Sequence, residues 1–329
     1  MSQAEQSTLR YALHGCVIDS SFVIPDLAPC VDPNSYSFAV SASRTNHFWR
    51  GDKSTFSPWR PDDVVPLDRE VRMQYLKGAD GYLIRFEGFA DFLIGPAGST
   101  IVVYMENNEL PQFIRDILVG PILATALLIQ GAYALHGSCV TRNGSAMAFI
   151  GNNGAGKSTL AASYVADGWE LLTDGMFVAT LADGQAWVHP GDPRIRVRPD
   201  AAGKLTYLPR LDTGNTEGVA KYRLAIGDDG WGNFSRAAQP LRVAYILEPS
   251  GPDEGVVIEP CTGADAIMTA LANTYGVQTY QSEFLVPHLK YVGQFLKLVP
   301  LRRLKYIKEL ENLSRMLQAV TADADQFLR

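Results

Sequence analysis

The residues best suited to chemistry in this chain form a glycine-rich loop, Gly-Asn-Asn-Gly-Ala-Gly-Lys-Ser, from Gly151 to Ser158. The loop fits the pattern G-x-x-x-x-G-K-[ST], in which glycines let backbone N–H groups approach phosphate oxygens closely. Lys157 can contact the β- and γ-phosphates with its positive charge, and the hydroxyl of Ser158 can bind Mg²⁺. The residues expected to bind a nucleotide are Gly151, Asn152, Asn153, Gly154, Ala155, Gly156, Lys157, Ser158 and Thr159.

The segments on either side of the loop have the sequences of a strand and a helix. The short apolar run SAMAFIG predicts a strand, which pairs with GSCVTR across a turn at Arg142-Asn143-Gly144. The run KSTLAASYVADG predicts a helix that Gly168 ends. A loop in this position receives the positive end of the helix dipole, which favours phosphate. The alternative is a glycine-rich turn that binds nothing.

Two further side chains could act beside the loop. Asp174 ends the apolar segment WELLTD, and a carboxylate at a strand end can bind Mg²⁺ or accept a hydroxyl proton. The alternative for Asp174 is an exposed turn, because Thr-Asp-Gly is also a turn signal. His136 follows an apolar segment and is either a buried core residue or part of the site.

The remainder of the chain predicts two regions. Residues 1–108 have the alternating and β-branched runs of strands, among them SYSFAVSAS and YLIRFEGFADFLIG, with a hairpin turn at Ala79-Asp80-Gly81. A helix should begin after Pro111 and end near Gly131.

Three further expectations concern the second half of the chain. The run WELLTDGMFVATL reads as one strand, and residues 281–325 read as mostly helical. Arg302, Arg303 and Lys305 would then lie on an ordinary helix surface. In RIRVR, Arg194, Arg196 and Arg198 alternate, so on a strand they would share one face, either as an anion site or as a solvated surface.

Composition excludes several classes of protein. The chain has 329 residues and a net charge of −6, which argues against a general nucleic-acid binder. Its four cysteines form no C-x-x-C pair, so we expect reduced thiols and neither a disulfide framework nor a zinc site. The apolar segment 117–135 contains glycine, proline and glutamine, which favours a buried helix over a membrane span. Without a signal-peptide pattern, we expect a cytoplasmic protein with no membrane partner.

Taken together, residues 135–175 resemble the catalytic core of HPr kinase/phosphorylase and the wider HPr kinase-like group. That group has an L-H-G-x-x-V segment, a short hairpin, a phosphate loop, a helix and then G-x-x-L-x-x-D-D. The chain has His136, the loop, Gly168 and Asp174 in the same order. The resemblance is weaker through VHPGDPRIRVRPD. The N-terminal half looks more like the stand-alone kinases of peptide-modification clusters, including those that phosphorylate lasso-peptide precursors.

The resemblance implies a fold and a set of roles. The fold would be α/β (α+β), a P-loop kinase core of the HPr kinase/PEP carboxykinase-like type. A β-rich N-terminal domain would span residues 1–108, and the catalytic domain, with a helical C-terminal region, residues 109–329. Lys157 and the loop would hold the phosphates, and Ser158, Thr159 and Asp174 would serve Mg²⁺. Asp174 would also act as the base, while His136 would orient the acceptor or the γ-phosphate.

One position departs from the family pattern. The family has two adjacent acidic residues, whereas Asp174 is followed by Gly175. Either Asp174 suffices, another carboxylate such as Asp192 substitutes, or the activity is impaired. The segment that the family uses for its reverse reaction has no clear match, which makes HPr itself a doubtful substrate.

The expected function is transfer of the γ-phosphoryl group of ATP, with GTP not excluded, to a hydroxyl, with Mg²⁺ as the metal. The favoured acceptor is a serine of a peptide or protein. The alternatives are a kinase for a small hydroxyl compound, such as a free amino acid, and a nucleotide-binding regulatory module without turnover, which Gly175 suggests. Family members are often homo-oligomers, and the sequence is compatible with this.

Overall fold

The chain folds into two compact units, in a computed structural model that describes most but not all residues. The first unit comprises Met1–Ala132 with Gln278–Leu285, and the second Tyr133–Val277 with Val286–Arg329. The described residues are 8–25, 27, 39–45, 56–66, 70–105, 111–198, 205, 208, 222–228, 230–251, 255–275 and 282–328. The sheets and helices confirm the mixed α/β class, and the HPr kinase-like type stays a prediction.

The first unit is built on an eight-stranded sheet. Its strands are β1 (Leu9–Leu13), β2 (Cys16–Ser20), β3 (Ala39–Thr45), β4 (Ser57–Pro66), β5 (Glu70–Gly78), β6 (Gly81–Phe86), β7 (Ala90–Ile94) and β8 (Thr100–Tyr104). They follow the order β1-β2-β3-β8-β7-β6-β5-β4, so β1 and β4 are its outer strands. Gly78 pairs with Gly81, which places the hairpin turn where the sequence predicted it. Residues 35–38, predicted to begin a strand, and Cys30 lie outside the described residues.

The helical segment after Pro111 consists of α1 (Gln112–Ile117), a π-helical turn (Leu118–Ile122) and α2 (Leu123–Ile129). The turn contains Pro121, whose missing N–H removes one hydrogen bond from the α-helical ladder. Among the residues that the structure describes, this is the one stretch long and apolar enough to cross a membrane. Its mean hydropathy is 1.6 and 56% of it is buried, and burial of this kind also characterises a core helix.

This helical segment belongs to the first unit. The Arg115 guanidinium Nε donates to the Pro25 carbonyl at 2.9 Å, and Gln130 Nε2 donates to the Gly98 carbonyl at 2.9 Å. The first unit therefore extends to residue 132, whereas the sequence placed the start of the catalytic domain at residue 109. The difference arises because the helix is hydrogen-bonded to residues that precede it by many positions in the chain, which local sequence does not reveal.

The second unit is built on a ten-stranded sheet. Its strands are β9 (Ala134–Leu135), β10 (Gly137–Arg142), β11 (Ser145–Ile150), β12 (Glu170–Thr173), β13 (Phe177–Ala182), β14 (Gln185–Val188), β17 (Asn233–Phe234), β18 (Gln239–Ser250), β19 (Val257–Cys261) and β20 (Leu301–Ile307). A separate pair consists of β15 (Arg194–Val197) and β16 (Tyr222–Ala225). The helices are α3 (Lys157–Ala166), α4 (Gly263–Ala272), α5 (Ser282–Leu298) and α6 (Leu313–Ala324). The residues of α5 up to Leu285 are counted in the first unit.

Strand β11 lies in the middle of the core, with both of its faces buried. Met147 and Phe149 face one hydrophobic cluster, which contains residues of α3 and α6. Ala148 and Ile150 face a second cluster, which contains residues of α4 and α5. Because side chains alternate along a strand, a strand covered on both faces is apolar throughout. The strand formed by SAMAFI, buried on both faces, therefore positions the glycine-rich loop that follows it.

Residues 281–325, predicted to be mostly helical, contain α5 and α6 but also a strand between them. Residues Leu301–Ile307 form β20, which pairs in parallel with β18 and antiparallel with β19. Leu301, Leu304 and Tyr306 are buried, a pattern short enough to read as either a helix or a strand when the neighbours are unknown. In the folded protein this segment is a strand because its backbone pairs with residues Ala244 to Ser250 of β18.

The basic residues of β20 were also expected on a helix surface, and this is wrong. Arg302 donates to both carboxylate oxygens of Asp323, at 3.0 and 2.5 Å. Arg303 donates to Asp265 at 2.5 Å and to Glu248, and Lys305 pairs with Glu259 at 3.0 Å. These ion pairs join β20 to its neighbours.

The run WELLTDGMFVATL, predicted as one strand, is two. Strand β12 ends at Thr173 and β13 begins at Phe177. Between them Gly175 has φ of 87°, a left-handed conformation that an extended strand does not contain. The Thr173 hydroxyl closes the turn by donating to the Met176 carbonyl at 2.6 Å.

A buried histidine in α5 should make stability depend on pH. His288 stacks on Tyr133 with ring centroids 4.7 Å apart, and its Nε2 lies 2.8 Å from Thr274 Oγ1. Burial lowers the pKa of His288 from 6.5 to about 4. Between these values the unfolded chain binds the proton and the folded chain does not, so stability is lost as pH falls from about 6.5 towards 4.

We expect His288→Phe, which keeps an aromatic ring against Tyr133, to flatten this dependence. One proton accounts for at most about 1.4 kcal/mol of unfolding free energy per pH unit. Urea unfolding at several pH values between 4 and 7 measures the slope for both proteins, and other titrating groups cancel in the comparison. Equal slopes would show that His288 does not titrate differently in the two states.

Candidate phosphate-binding site

The glycine-rich loop connects the end of β11 to the start of α3. Gly151, Gly154 and Gly156 have φ of 140°, 80° and 93°, values that residues with a Cβ rarely adopt. A Cβ on Gly151 would also lie 2.9 Å from the Leu247 carbonyl oxygen of β18. The backbone conformation therefore favours glycine at all three positions. At Gly151 the close approach of β18 requires it as well.

The loop is held from both sides. Lys157 is only 6% exposed, and its Nζ donates to the carbonyls of Gly151 and Asn152 at 2.7 and 3.0 Å. From β20, the Tyr306 hydroxyl donates to the Ala155 carbonyl. Lys157 thus lies across the first turn of the loop, in reach of a group that the loop backbone would bind. Of the other predicted nucleotide-binding residues, Asn152 and Asn153 are exposed, while Ser158 and Thr159 are half-buried.

Asp174 is bonded to the loop, so its alternative as an exposed turn residue is wrong. It is 5% exposed. Its Oδ1 accepts hydrogen bonds from Ser158 Oγ at 2.8 Å and from Ser138 Oγ at 2.5 Å, and its Oδ2 accepts the Arg196 N–H at 2.9 Å. Three donors converge on one carboxylate, which fixes its position at the first residues of α3.

The same oxygens suit a magnesium ion. Mg²⁺ prefers oxygen ligands and is commonly bound by one or two protein side chains together with substrate phosphates and water. Ser158 Oγ and the Asp174 carboxylate are adjacent oxygen donors beside a loop with the phosphate-binding pattern. The residues present therefore fit the metal that the sequence predicted.

The three alternating arginines have different environments. Arg194 is buried and donates to both oxygens of Asp192, at 3.1 Å each. Arg196 Nη2 lies 3.9 Å from Asp192 Oδ2, so these two arginines share a face, as alternation on β15 predicts. Arg198 is exposed, and its Nη1 would lie 4.0 Å from a Cβ placed on Gly154. The Arg198 guanidinium therefore lies beside the glycine-rich loop.

Arg196 lies next to Gly175, the position where the family pattern has a second acidic residue. A Cβ on Gly175 would lie 2.8 Å from Arg196 Nη1, so a guanidinium stands where an acidic side chain would begin. Asp192, the candidate substitute, is 5% exposed and bound by Arg194 through two hydrogen bonds. Asp192 therefore forms an ion pair with Arg194, whereas Asp174 is hydrogen-bonded to Ser158 at the end of the loop.

We expect Gly175→Ala to reduce phosphoryl transfer more than its effect on stability explains. Gly168 is a matched control, because its φ of 85° is almost the same and a Cβ there would meet nothing within 4 Å. Both variants should lose about 1 to 2 kcal/mol through backbone strain. Only Gly175→Ala displaces the guanidinium of Arg196, the residue whose backbone N–H donates to Asp174. Thermal unfolding and turnover of both variants test this, and equal turnover would contradict it.

His136 lies directly before β10. Its N–H donates to the Asn273 carbonyl at 2.8 Å, and its ring centroid is 5.7 Å from that of Tyr275. The side chain is half-buried, so it is not the buried core residue of the alternative interpretation. Its role towards an acceptor or a γ-phosphate stays a prediction.

Sequence reasoning missed Ser138. This residue is fully buried on β10 between apolar neighbours, and a buried hydroxyl requires a partner. The sequence could therefore have indicated that Ser138 needs a hydrogen-bond partner, but not that the partner is Asp174. On the same strand, burial raises the pKa of the Cys139 thiol well above its usual value, and the nearby Asp174 charge raises it further. Cys139 is therefore a neutral core thiol and not a nucleophile.

Comparisons with known proteins add a weak structural similarity. No protein-family model and no curated protein sequence matches the chain. Among solved structures, the HPr(Ser) kinase/phosphatase from Coxiella burnetii is similar over 59% of this chain and 97% of its own, with 10% sequence identity and a TM-score of 0.32. At this TM-score the function has to be argued from the geometry of the site.

Proposed function

We propose that the chain is an ATP-dependent, Mg²⁺-requiring kinase that transfers the γ-phosphoryl group to a hydroxyl. The observation that carries the proposal is the hydrogen bond between Ser158 and Asp174 at 2.8 Å. It brings a buried carboxylate to the residue that ends the phosphate-loop pattern. A loop, a lysine, an oxygen pair for a metal and a carboxylate are the parts that phosphoryl transfer uses.

The loop and Lys157 would bind the phosphates. With three glycines in the left-handed region, the loop backbone can turn N–H groups towards an anion, and the start of α3 would add its dipole. Ser158 and Asp174 would hold Mg²⁺, which when bound neutralises charge on the β- and γ-phosphates. These interactions position the γ-phosphoryl group without covalent chemistry from the protein.

Asp174 would accept the proton of the acceptor hydroxyl. Each carboxylate oxygen can accept about two hydrogen bonds. Oδ1 already accepts two, from Ser138 and Ser158, whereas Oδ2 accepts one, from the Arg196 N–H. When Mg²⁺ is bound, Oδ1 would hold it in place of the Ser158 hydrogen bond. The remaining acceptor position on Oδ2 would then take the proton as the acceptor oxygen bonds to phosphorus and the bond between the β- and γ-phosphates breaks, which releases ADP.

The proposed acceptor is a serine of a peptide or protein, with the first unit recruiting it. The eight-stranded sheet ends in β1 and β4, and an outer strand can pair with an extended peptide through backbone hydrogen bonds. Hydrogen exchange with and without a serine-containing peptide tests the recruitment. Added protection should appear on β1 or β4 and not on the inner strand β6.

The proposed function is tested by following acceptor-dependent ADP release and transfer of labelled γ-phosphate from ATP. A library of serine peptides, free serine and a no-acceptor control are compared, with ATP and GTP in parallel. Labelled peptide supports the proposal. Labelled free amino acid alone would make the protein a small-molecule kinase. Nucleotide binding without any acceptor-dependent release would make it a regulatory module and would overturn the proposal.

A further inference from the structure

Two cations from distant parts of the chain meet at the middle glycine of the phosphate loop. A Cβ built on Gly154 would lie 3.9 Å from Lys308 Nζ and 4.0 Å from Arg198 Nη1. Both side chains are exposed. Lys308 directly follows β20 and Arg198 directly follows β15, so separate elements deliver the two charges to one point.

The sheet explains why Lys308 arrives there. Strands β11 and β18 are parallel, and β18 and β20 are parallel. Carboxyl ends of parallel strands lie at the same edge of a sheet, where α/β proteins bind ligands. The glycine-rich loop begins at this edge, at the carboxyl end of β11, and Lys308 lies at the same edge, at the carboxyl end of β20. Tyr306, two residues before Lys308, anchors β20 to the loop at Ala155.

The two side chains place positive charge beside the loop. Lys308 Nζ and Arg198 Nη1 each lie within about 4 Å of one point, and Lys157, bonded to the Gly151 and Asn152 carbonyls, adds a third cation at the loop. The whole chain has a net charge of −6, so this concentration of cations is local. An anion with several charges could contact more than one of these side chains through charge-assisted hydrogen bonds.

We propose that Lys308 and Arg198 form a clamp for the distal phosphates of the nucleotide and so set its preference for a triphosphate. The inference rests on the proposed function, because it adds specificity to the same loop. Lys157 is hydrogen-bonded to Gly151 and Asn152 at the start of the loop. Lys308 and Arg198 lie near Gly154 in its middle. A longer phosphate chain contacts both, whereas a monophosphate reaches only one.

The test is the affinity of the full chain for ATP, ADP and AMP, each with Mg²⁺, measured by isothermal titration calorimetry. Losing one charge-assisted contact should weaken ATP binding about tenfold in Lys308→Ala and in Arg198→Ala. ADP binding should weaken less, and AMP binding should not change. Lys305→Ala is the matched control, because Lys305 lies on β20 but pairs with Glu259 at 3.0 Å. Lys308→Arg should retain most of the ATP affinity.

The outcomes separate the clamp from the kinase proposal. If the wild-type chain binds ATP and Lys308→Ala binds it equally well, the clamp is wrong and the kinase proposal stands. Equal losses for ATP and AMP would also overturn the clamp, because the effect would not depend on the distal phosphates. If the wild-type chain binds none of the three nucleotides, the proposed function itself fails.

Discussion

Lys157→Ala is expected to abolish useful turnover, with a loss of about 100- to 1,000-fold, the range for removal of one preorganised group that stabilises charge in the transition state. The physical reason is that Lys157 is a buried cation at the start of the phosphate loop, bonded to the Gly151 and Asn152 carbonyls. Removing it takes away the positive charge that would meet the phosphates. It also leaves two loop carbonyls without these donors, so nucleotide affinity should fall as well.

The measurement combines calorimetry with ATP and a phosphotransfer assay. Lys290→Ala is the control, because Lys290 is an exposed lysine on α5 and should behave like the wild-type protein. Circular dichroism confirms that both variants are folded. If Lys157→Ala retained nucleotide affinity and turnover, the loop would be a glycine-rich turn and not a phosphate site.

Asp174→Asn is expected to weaken nucleotide binding much less than it slows transfer, whose rate should fall about 100- to 10,000-fold, the usual contribution of a general base. Asparagine keeps the shape of the side chain. Its amide oxygen can still accept the Arg196 N–H, and its amide nitrogen can donate to the hydroxyls of Ser138 and Ser158, which rotate to accept. The negative charge and the acceptor position for a proton are lost.

The control for Asp174→Asn is Asp183→Asn, an exposed turn residue with φ of 52° that asparagine tolerates. Ser138→Ala provides a graded comparison, because it removes one of the donors to Asp174 without removing its charge. We expect its rate to lie between those of the wild-type protein and Asp174→Asn. An undiminished rate in Asp174→Asn would reduce Asp174 to a structural residue that holds Ser158.

The sequence by itself determined the features that depend on neighbouring residues. The hairpin at Asn143 and Gly144, the end of α3 at Gly168 and the glycine conformations of the loop all follow from local backbone preferences. The apolar run of β11 predicted a strand before the loop. These features are encoded within a few residues, so their patterns were sufficient to predict the strand, the loop and the helix.

Tertiary structure decided what surrounds the loop. Whether Asp174 was a turn residue or a loop partner depended on Ser138 and on Arg196, which lie far from it in sequence. The strand character of Leu301–Ile307 depended on pairing with β18. That strand brings Tyr306 and Lys308 to the loop. No period or motif in the sequence specifies such contacts, because sheet pairing joins segments by backbone hydrogen bonds that are the same for every residue type.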